Sequence, residues 1–375
     1  MSFQSFQPPR RTLMGPGPAD ISPQVLAALS KPTIGHLDPL FIQMMDEVKS
    51  LLQYAFQTKN EITMAVSAPG SAGMETCFVN LVEPEDKVIV CINGVFGMRM
   101  KENVERVGGV PVVVEGEWGR AVNPQQLEQT LTQHPDAKFV AFVHAETSTG
   151  ALSDAKTLCS IAKQHGCITI VDAVTSLGGV ELRVDDWQID AIYSGSQKCL
   201  SCVPGLSPVS FSPTAVEKIK ARKTKVQSWF LDQSLVMDYW SSNSGGKRSY
   251  HHTAPVNSLY ALHEALVHLY NEGLENAWQR HAEQHKKLAA GLTELGINFI
   301  VPEEERLPQL NAVYIPDGVD DAQVRSYLLN EFNLEIGAGL GAFAGKAWRI
   351  GLMGYAAKSE NVLLCLAALR SALQK

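Results

Sequence analysis

Two short segments combine residue types that can do chemistry together. In CITIVDAVTSLGG an apolar run ends in an acid, Asp172, followed by hydroxyl residues and a glycine pair. In IDAIYSGSQKCL a second apolar run passes through Ser194, Gly195, Ser196 and Gln197 to Lys198. The carboxyl ends of strands in open α/β sheets are where ligands bind. A lysine held there is partly desolvated, so its amine can be neutral and nucleophilic. A carboxylate at a neighbouring strand end can hold a heterocyclic N–H⁺. Taken singly, a strand-end Asp is most often a cap or turn residue, and a Lys after Ser-Gly-Ser is most often solvated. Placed about one strand–helix–strand step apart, the two match the needs of pyridoxal phosphate. The lysine would form a Schiff base with its aldehyde, and the acid would keep the pyridine nitrogen protonated.

Such a pair must be positioned by an α/β scaffold, and the pattern supplies one. From about residue 60, short apolar, β-branched runs alternate with amphipathic stretches. The runs are Ile62–Val66, Val88–Ile92, Val110–Val114, Phe139–Val143, Ile168–Val171, Ala191–Tyr193 and Pro208–Phe211. Apolar on both faces, they read as seven strands of a covered, mostly parallel sheet. Between two of them, Ala155, Leu158, Cys159 and Ala162 follow helical spacing, with Ser153 as cap and Gly166 as terminator. After about residue 255 the pattern changes. Long helices are expected over Val256–Tyr270 and Leu274–Leu295, with short strands at Asn298–Val301, Ala312–Ile315 and Ala347–Ile350. A last helix places Val362, Leu366, Leu369 and Leu373 on one stripe, with Ser359 as its cap. The expected division is an arm over 1–18, a large domain over 19–271 and a smaller α+β domain over 272–375.

Composition narrows the class. The chain has 375 residues, 45% hydrophobic and 19% charged, with a formal net charge of −7. That suits a folded protein with a sizeable core and argues against nucleic acid as the main partner. No apolar run is long enough to cross a membrane. MSFQSFQPPRR has no apolar signal core, and seven cysteines suit reduced thiols, so a cytoplasmic protein is expected. The low charge fraction is consistent with surface buried between subunits.

The strings VDAVTSLGG, SGSQK and YHHTAPV resemble the class V pyridoxal-phosphate aminotransferases, and within them the alanine–glyoxylate / serine–pyruvate group. The resemblance runs from LMGPGP, starting at Leu13, to the C-terminal helix. It implies the type I fold of pyridoxal-phosphate enzymes, a large domain with a mostly parallel seven-stranded sheet plus a smaller C-terminal α+β domain. It also implies residue roles. Lys198 is the Schiff-base lysine and proton shuttle, Asp172 pairs with the pyridinium, and Val174 packs under the ring. Gln197 helps hold the cofactor phosphate, as do Gly70 and Ser71 in VSAPGSAGMET, a turn at a helix N-terminus. Phe96 in NGVFGMR stacks on the pyridine face where many relatives carry Trp, and Thr147 in HAETSTG contacts the ring. Tyr250 and Thr253 reach the phosphate of the neighbouring subunit's cofactor, which makes the active site depend on a homodimer. Arg349 in WRIGLMG binds the substrate carboxylate through two parallel hydrogen bonds. Gly17 lies in the GPGP turn over the substrate, and Thr147 also borders the substrate.

The resemblance implies amino transfer from alanine or serine to glyoxylate, or to pyruvate. Other donors, ureidoglycine or 3-hydroxykynurenine, belong to the same group. The ureidoglycine branch typically carries Gln where His36 stands and Asn where Tyr250 stands. A lyase or desulfurase of the same fold is a further alternative, but its mobile-loop cysteine has no counterpart in Cys199 or Cys202, which sit beside the lysine. Three patterns point elsewhere and are set aside. His251 and His252 lack further ligands at metal-site spacing, so no metal is expected. Gly337-x-Gly339-x-x-Ala342 imitates a dinucleotide fingerprint, but the strand-like AWRIG follows it where a helix is required. Cys199-Leu-Ser-Cys202 has no second pair for zinc and reads as two reduced thiols, with a redox role as the minor alternative.

Overall fold

The seven runs become the seven strands of one sheet in the computed structural model, which describes residues 3–241 and 248–374. Met1, Ser2, residues 242–247 and Lys375 lie outside the described residues, which removes two positions from the expected arm, six from the large domain and one from the small domain. Across the sheet the strands run Ile62–Val66, Ser207–Phe211, Ala191–Tyr193, Ile168–Asp172, Phe139–Val143, Lys87–Ile92 and Val110–Glu115. All neighbours pair in parallel except Ser207–Phe211, which is antiparallel to both of its neighbours. The four strands from Phe139–Val143 to Ser207–Phe211 are buried along nearly their whole length, the pattern of a sheet covered on both faces. Helices Pro39–Phe56, Gly70–Leu81 and Val256–Glu272 add their apolar stripes to the same core, which also takes in Leu274 and Ala277.

A second apolar core gathers Leu288, Leu292, Val313, Leu328, Trp348, Ile350 and Leu369, together with Met14 from the far end of the chain. Its strands Leu310–Tyr314, Ala347–Gly351 and Gly337–Ala338 form an antiparallel sheet. Helix Leu274–Glu294 spans both cores, with Leu274 and Ala277 in the first and Leu288 and Leu292 in the second. The N-terminal segment is bound to the second core: Thr12–Leu13 pairs in parallel with Leu334–Glu335, and Gly351 N donates to the Met14 carbonyl at 2.7 Å.

Three local expectations are corrected. Asp154, not Ser153, caps helix Ala155–Gln164, accepting from Thr157 N, while the Ser153 hydroxyl accepts from Val122 N at 3.1 Å. Ser359 opens the last helix and does not cap it; its hydroxyl bonds Gln284 and Lys287 on the neighbouring helix. Residues 298–301 make only a single bridge, Phe299 to Val313, because Pro302 follows at once and has no N–H to extend a ladder. After Gly337-x-Gly339-x-x-Ala342 comes a single 3-10 turn and then strand Ala347–Gly351, so no helix N-terminus exists there to take a pyrophosphate.

Candidate active site

Asp172 ends strand Ile168–Asp172 and is almost wholly buried. Its Oδ1 accepts from Val174 N at 2.8 Å and its Oδ2 from the Tyr193 hydroxyl at 2.7 Å. Burial pushes its carboxyl up to about 7, although these two hydrogen bonds and nearby Lys198 favour the charged form. The carboxylate takes part in none of the ion pairs among the described residues.

The neighbouring strand, Ala191–Tyr193, leads into the turn that holds Lys198. Lys198 is buried, and this desolvation pushes its amine down to about 8. Its Nζ donates to the Pro16 carbonyl. Gly17 passes so close that a Cβ there would sit 2.4 Å from Lys198 Nζ, and its φ of +100° is one that L side chains rarely adopt. The GPGP turn therefore lies directly over the amine.

Gly70 opens helix Gly70–Leu81, whose N-cap Pro69 offers no side-chain hydrogen bond. The first-turn amides of Gly70 and Ser71 thus remain available to an anion. A Cβ on Gly70 would meet Val174 Cγ2 at 3.4 Å and Gly195 Cα at 3.5 Å, so this turn abuts the Asp172 and Lys198 strand ends. Val174 is half-buried and Ser71 exposed. Gln197 is half-buried, with a buried side-chain oxygen that has no partner among the described residues.

Phe96 is half-buried in the first turn of helix Val95–Arg106, with the Arg99 guanidinium 4.8 Å from its ring centre. Its backbone N–H donates to Glu146 Oε2 at 3.2 Å. Glu146 also accepts from Ser148 N at 3.0 Å and from the Ser148 hydroxyl at 2.5 Å. Burial raises this carboxyl above its ordinary value against those bonds. Thr147 is buried, and its carbonyl accepts from Arg349 Nη1 at 3.2 Å. Arg349 Nε donates to the Ala338 carbonyl at 2.7 Å, which leaves Nη2 without a partner among the described residues. The half-buried guanidinium is thus aimed from strand Ala347–Gly351 toward the Thr147 turn.

Tyr250 and Thr253 stand apart from this cluster and are exposed on this chain. Between them, His252 Nε2 bonds the Ser67 hydroxyl at 2.7 Å and so stitches YHHT to the turn before Gly70. His251 stacks on Trp229 at 4.4 Å.

The residues present fit pyridoxal phosphate. A buried carboxylate short of a cation suits a pyridinium N–H⁺, and a buried amine that sheds its proton near 8 suits condensation with an aldehyde. The uncapped helix start suits a phosphate. Three contributors escaped the sequence reading: Tyr193, Glu146 and the Pro16 carbonyl. Tyr193 and Glu146 lie inside the quoted strings, and their positions at strand ends were the available signal. A backbone carbonyl offers no signal in sequence.

The description "Aminotransferase class-V" fits residues 15–362. Alanine–glyoxylate aminotransferase of Rattus norvegicus is 42% identical over 98% of this chain and 88% of its own length. The (S)-ureidoglycine–glyoxylate transaminase of Bacillus subtilis is 37% identical over 97% of this chain and 91% of its own. The crystal structure of an alanine–glyoxylate aminotransferase from Nostoc sp. superposes with a TM-score of 0.96 at 44% identity, covering 100% of this chain and 98% of that one.

Proposed function

Because the chain belongs to the class V aminotransferases, we propose that it moves an amino group from alanine or serine to glyoxylate, or to pyruvate, releasing a 2-oxo acid and an amino acid. The observation that carries the reading is the buried Lys198–Asp172 pair facing Arg349 across the Thr147 turn. Bound pyridoxal phosphate supplies an aldehyde that condenses with amines and a cationic ring that draws the electron pair from the substrate Cα. Asp172, held by Val174 N and Tyr193, keeps a negative charge against the ring nitrogen. Lys198, once its amine is free, would be the base placed to carry a proton between the substrate Cα and C4′ of a bound cofactor. An amine near 8 is matched to both directions at neutral pH. Arg349 fixes the substrate carboxylate through its free N–H groups. The GPGP turn excludes water above the amine.

The reading extends to a cytoplasmic homodimer in which Tyr250 and Thr253 of one subunit reach the cofactor phosphate of the other. Its support is their exposure beside the apolar Trp229, which is 63% exposed, and seven cysteines held as buried thiols. It includes the division into arm, large and small domains, supported by the two apolar cores. Ureidoglycine is the second donor to test, given the Bacillus subtilis relative. Against it, the His36 ring lies 5.4 Å from the Tyr250 ring, and both are bulkier than the residues typical of that branch.

Alanine with glyoxylate, and serine, ureidoglycine and 3-hydroxykynurenine each with glyoxylate and with pyruvate, test the reading; alanine with pyruvate is left out because it only regenerates its own pair. Alanine or serine with glyoxylate should turn over fastest. Faster turnover with pyruvate than with glyoxylate overturns glyoxylate as the preferred acceptor, and faster turnover with ureidoglycine or 3-hydroxykynurenine overturns the donor. Borohydride should fix a cofactor-sized mass on Lys198; no such adduct after cofactor supplementation overturns the enzyme reading.

A further inference from the structure

The backbone at Lys198 is held from two sides, and both holds lead to the strand that bears Arg349. On one side, Ala19 N donates to the Gln197 carbonyl at 2.9 Å. The segment before Ala19 runs back over the amine to Met14, whose carbonyl accepts from Gly351 N at 2.7 Å. On the other side, Ser201 N closes a turn onto the Lys198 carbonyl at 2.9 Å. The Ser201 hydroxyl accepts from Tyr355 N at 2.6 Å, and Tyr355 follows strand Ala347–Gly351 by one short loop.

This second hold is built closely. Ser201 has φ +52° and Gly354 φ +53°, both in the left-handed region. A Cβ on Gly354 would lie 2.0 Å from Ser201 Oγ and 2.6 Å from the Cys199 carbonyl oxygen, so only glycine allows the approach. The turn at Gly354 is itself anchored. Its N–H donates to His281 Nε2 at 2.8 Å, and Arg280 Nη1 donates to its carbonyl at 2.6 Å and to that of Ala357 at 3.1 Å. Arg280 is in turn fixed by Glu272 through two oxygens. Burial pushes His281 down to about 4, so near neutral pH it is the uncharged acceptor this bond requires. Packing alone does not hold the loop: a cavity of about 260 Å³ opens among Cys199, Ser201, Arg280 and Gly354.

We propose that Ser201 is a positioning residue for Lys198, and that its bond to Tyr355 links the placement of the amine to the strand that carries Arg349. Substrate carboxylate held at Arg349 and the amine at Lys198 then share one frame, spanned by the GPGP arm on one side and the Ser201–Gly354 clasp on the other. The bond does not involve Arg349, whose own partners are the Ala338 and Thr147 carbonyls, so its loss should act on the proton transfer and not on carboxylate binding.

The inference rests on the aminotransferase reading, and the experiment separates the two. Ser201→Ala and Ser201→Gly both remove the acceptor; Gly also relieves the left-handed backbone, so at least one variant retains the turn. With cofactor-loaded enzyme, kcat should fall about tenfold in each, roughly the effect of one lost hydrogen bond. KM for alanine and glyoxylate should stay within twofold. The rate at which cofactor-free protein takes up pyridoxal phosphate, read by its visible absorbance, should fall in parallel. Unchanged kcat in both variants, or a rise in KM at constant kcat, overturns the role of Ser201. A lower melting temperature with wild-type kcat also overturns it, because that marks a merely structural bond. Absence of transamination by the wild type would instead count against the enzyme reading itself.

Discussion

Replacing Gly17 by alanine should nearly abolish turnover while leaving the protein folded. Gly17 sits at φ +100°, and its added Cβ would lie 2.4 Å from Lys198 Nζ, 2.7 Å from Cδ and 2.9 Å from Cε. The backbone strain of an L residue there is about 1–3 kcal/mol. The three atoms met all belong to one flexible side chain, so the steric conflict resolves by moving Lys198. Reaching ordinary contact means shifting the amine by roughly 1 Å, and a misplacement of that size costs on the order of 100-fold in rate. The predicted profile is a kcat about 100-fold lower with a melting temperature only a few degrees lower. Stopped-flow half-reactions with alanine, set beside thermal melts of the cofactor-free protein, read both quantities. A Gly17→Ala enzyme with wild-type half-reaction rates would refute the placement of the turn over the amine. A variant that fails to fold would refute the claim that the lysine absorbs the conflict.

Asp172→Asn should stabilise the cofactor-free protein while weakening cofactor binding. The folded acid titrates near 7 against an ordinary 3.8, so through that window the folded state keeps a proton the unfolded state has released, and stability falls as pH rises. The variant should be more stable at pH 8, by at most about 4 kcal/mol, and match the wild type below pH 4; equal stability at pH 8 would contradict the buried charge. Arg349→Lys, which loses the planar fork, should raise KM for alanine and glyoxylate by about 10- to 100-fold, and unchanged KM values would show that the carboxylate binds elsewhere. Burial pushes the Cys199 and Cys202 thiols up to about 12, so the native protein should resist a thiol reagent and keep its activity across a dithiol/disulfide buffer series. Rapid labelling of either cysteine, or activity that tracks the buffer, would restore a redox role for the pair.

The sheet was legible because its inner strands are buried on both faces and show as unbroken apolar runs; the edge strand Val110–Glu115 keeps the same apolar, β-branched run although Val110 and Val113 are exposed. The direction of Ser207–Phe211 was not, since a doubly buried strand reads alike in either sense. Helix caps were legible only to within a residue. Ser153 and Asp154 are equally good caps by type, and the choice fell to Asp154 because the Ser153 hydroxyl is engaged by Val122 N. In the site, side chains with a distinctive role stood out, as with the acid and the lysine at adjoining strand ends. The groups that orient them did not. Tyr193 looks like one more apolar residue of its strand until its hydroxyl is seen on Asp172. Glu146 looks like a loop acid until its burial beneath the Phe96 helix is seen. Such roles depend on contacts far along the chain, which local pattern does not encode.

The pairing of Thr12–Leu13 with Leu334–Glu335 also orders events in time. Thr12–Leu13 is synthesised more than three hundred residues before its strand partner Leu334–Glu335. Closing so long a loop is entropically costly unless the intervening sheet has already drawn the ends together. The large sheet and the lysine turn can therefore form first, with the amine uncovered. The Pro16 carbonyl and Gly17 come to rest over Lys198 only once Leu334–Gly351 has been made, so the cover of the reactive amine is among the last pieces of the molecule to assemble.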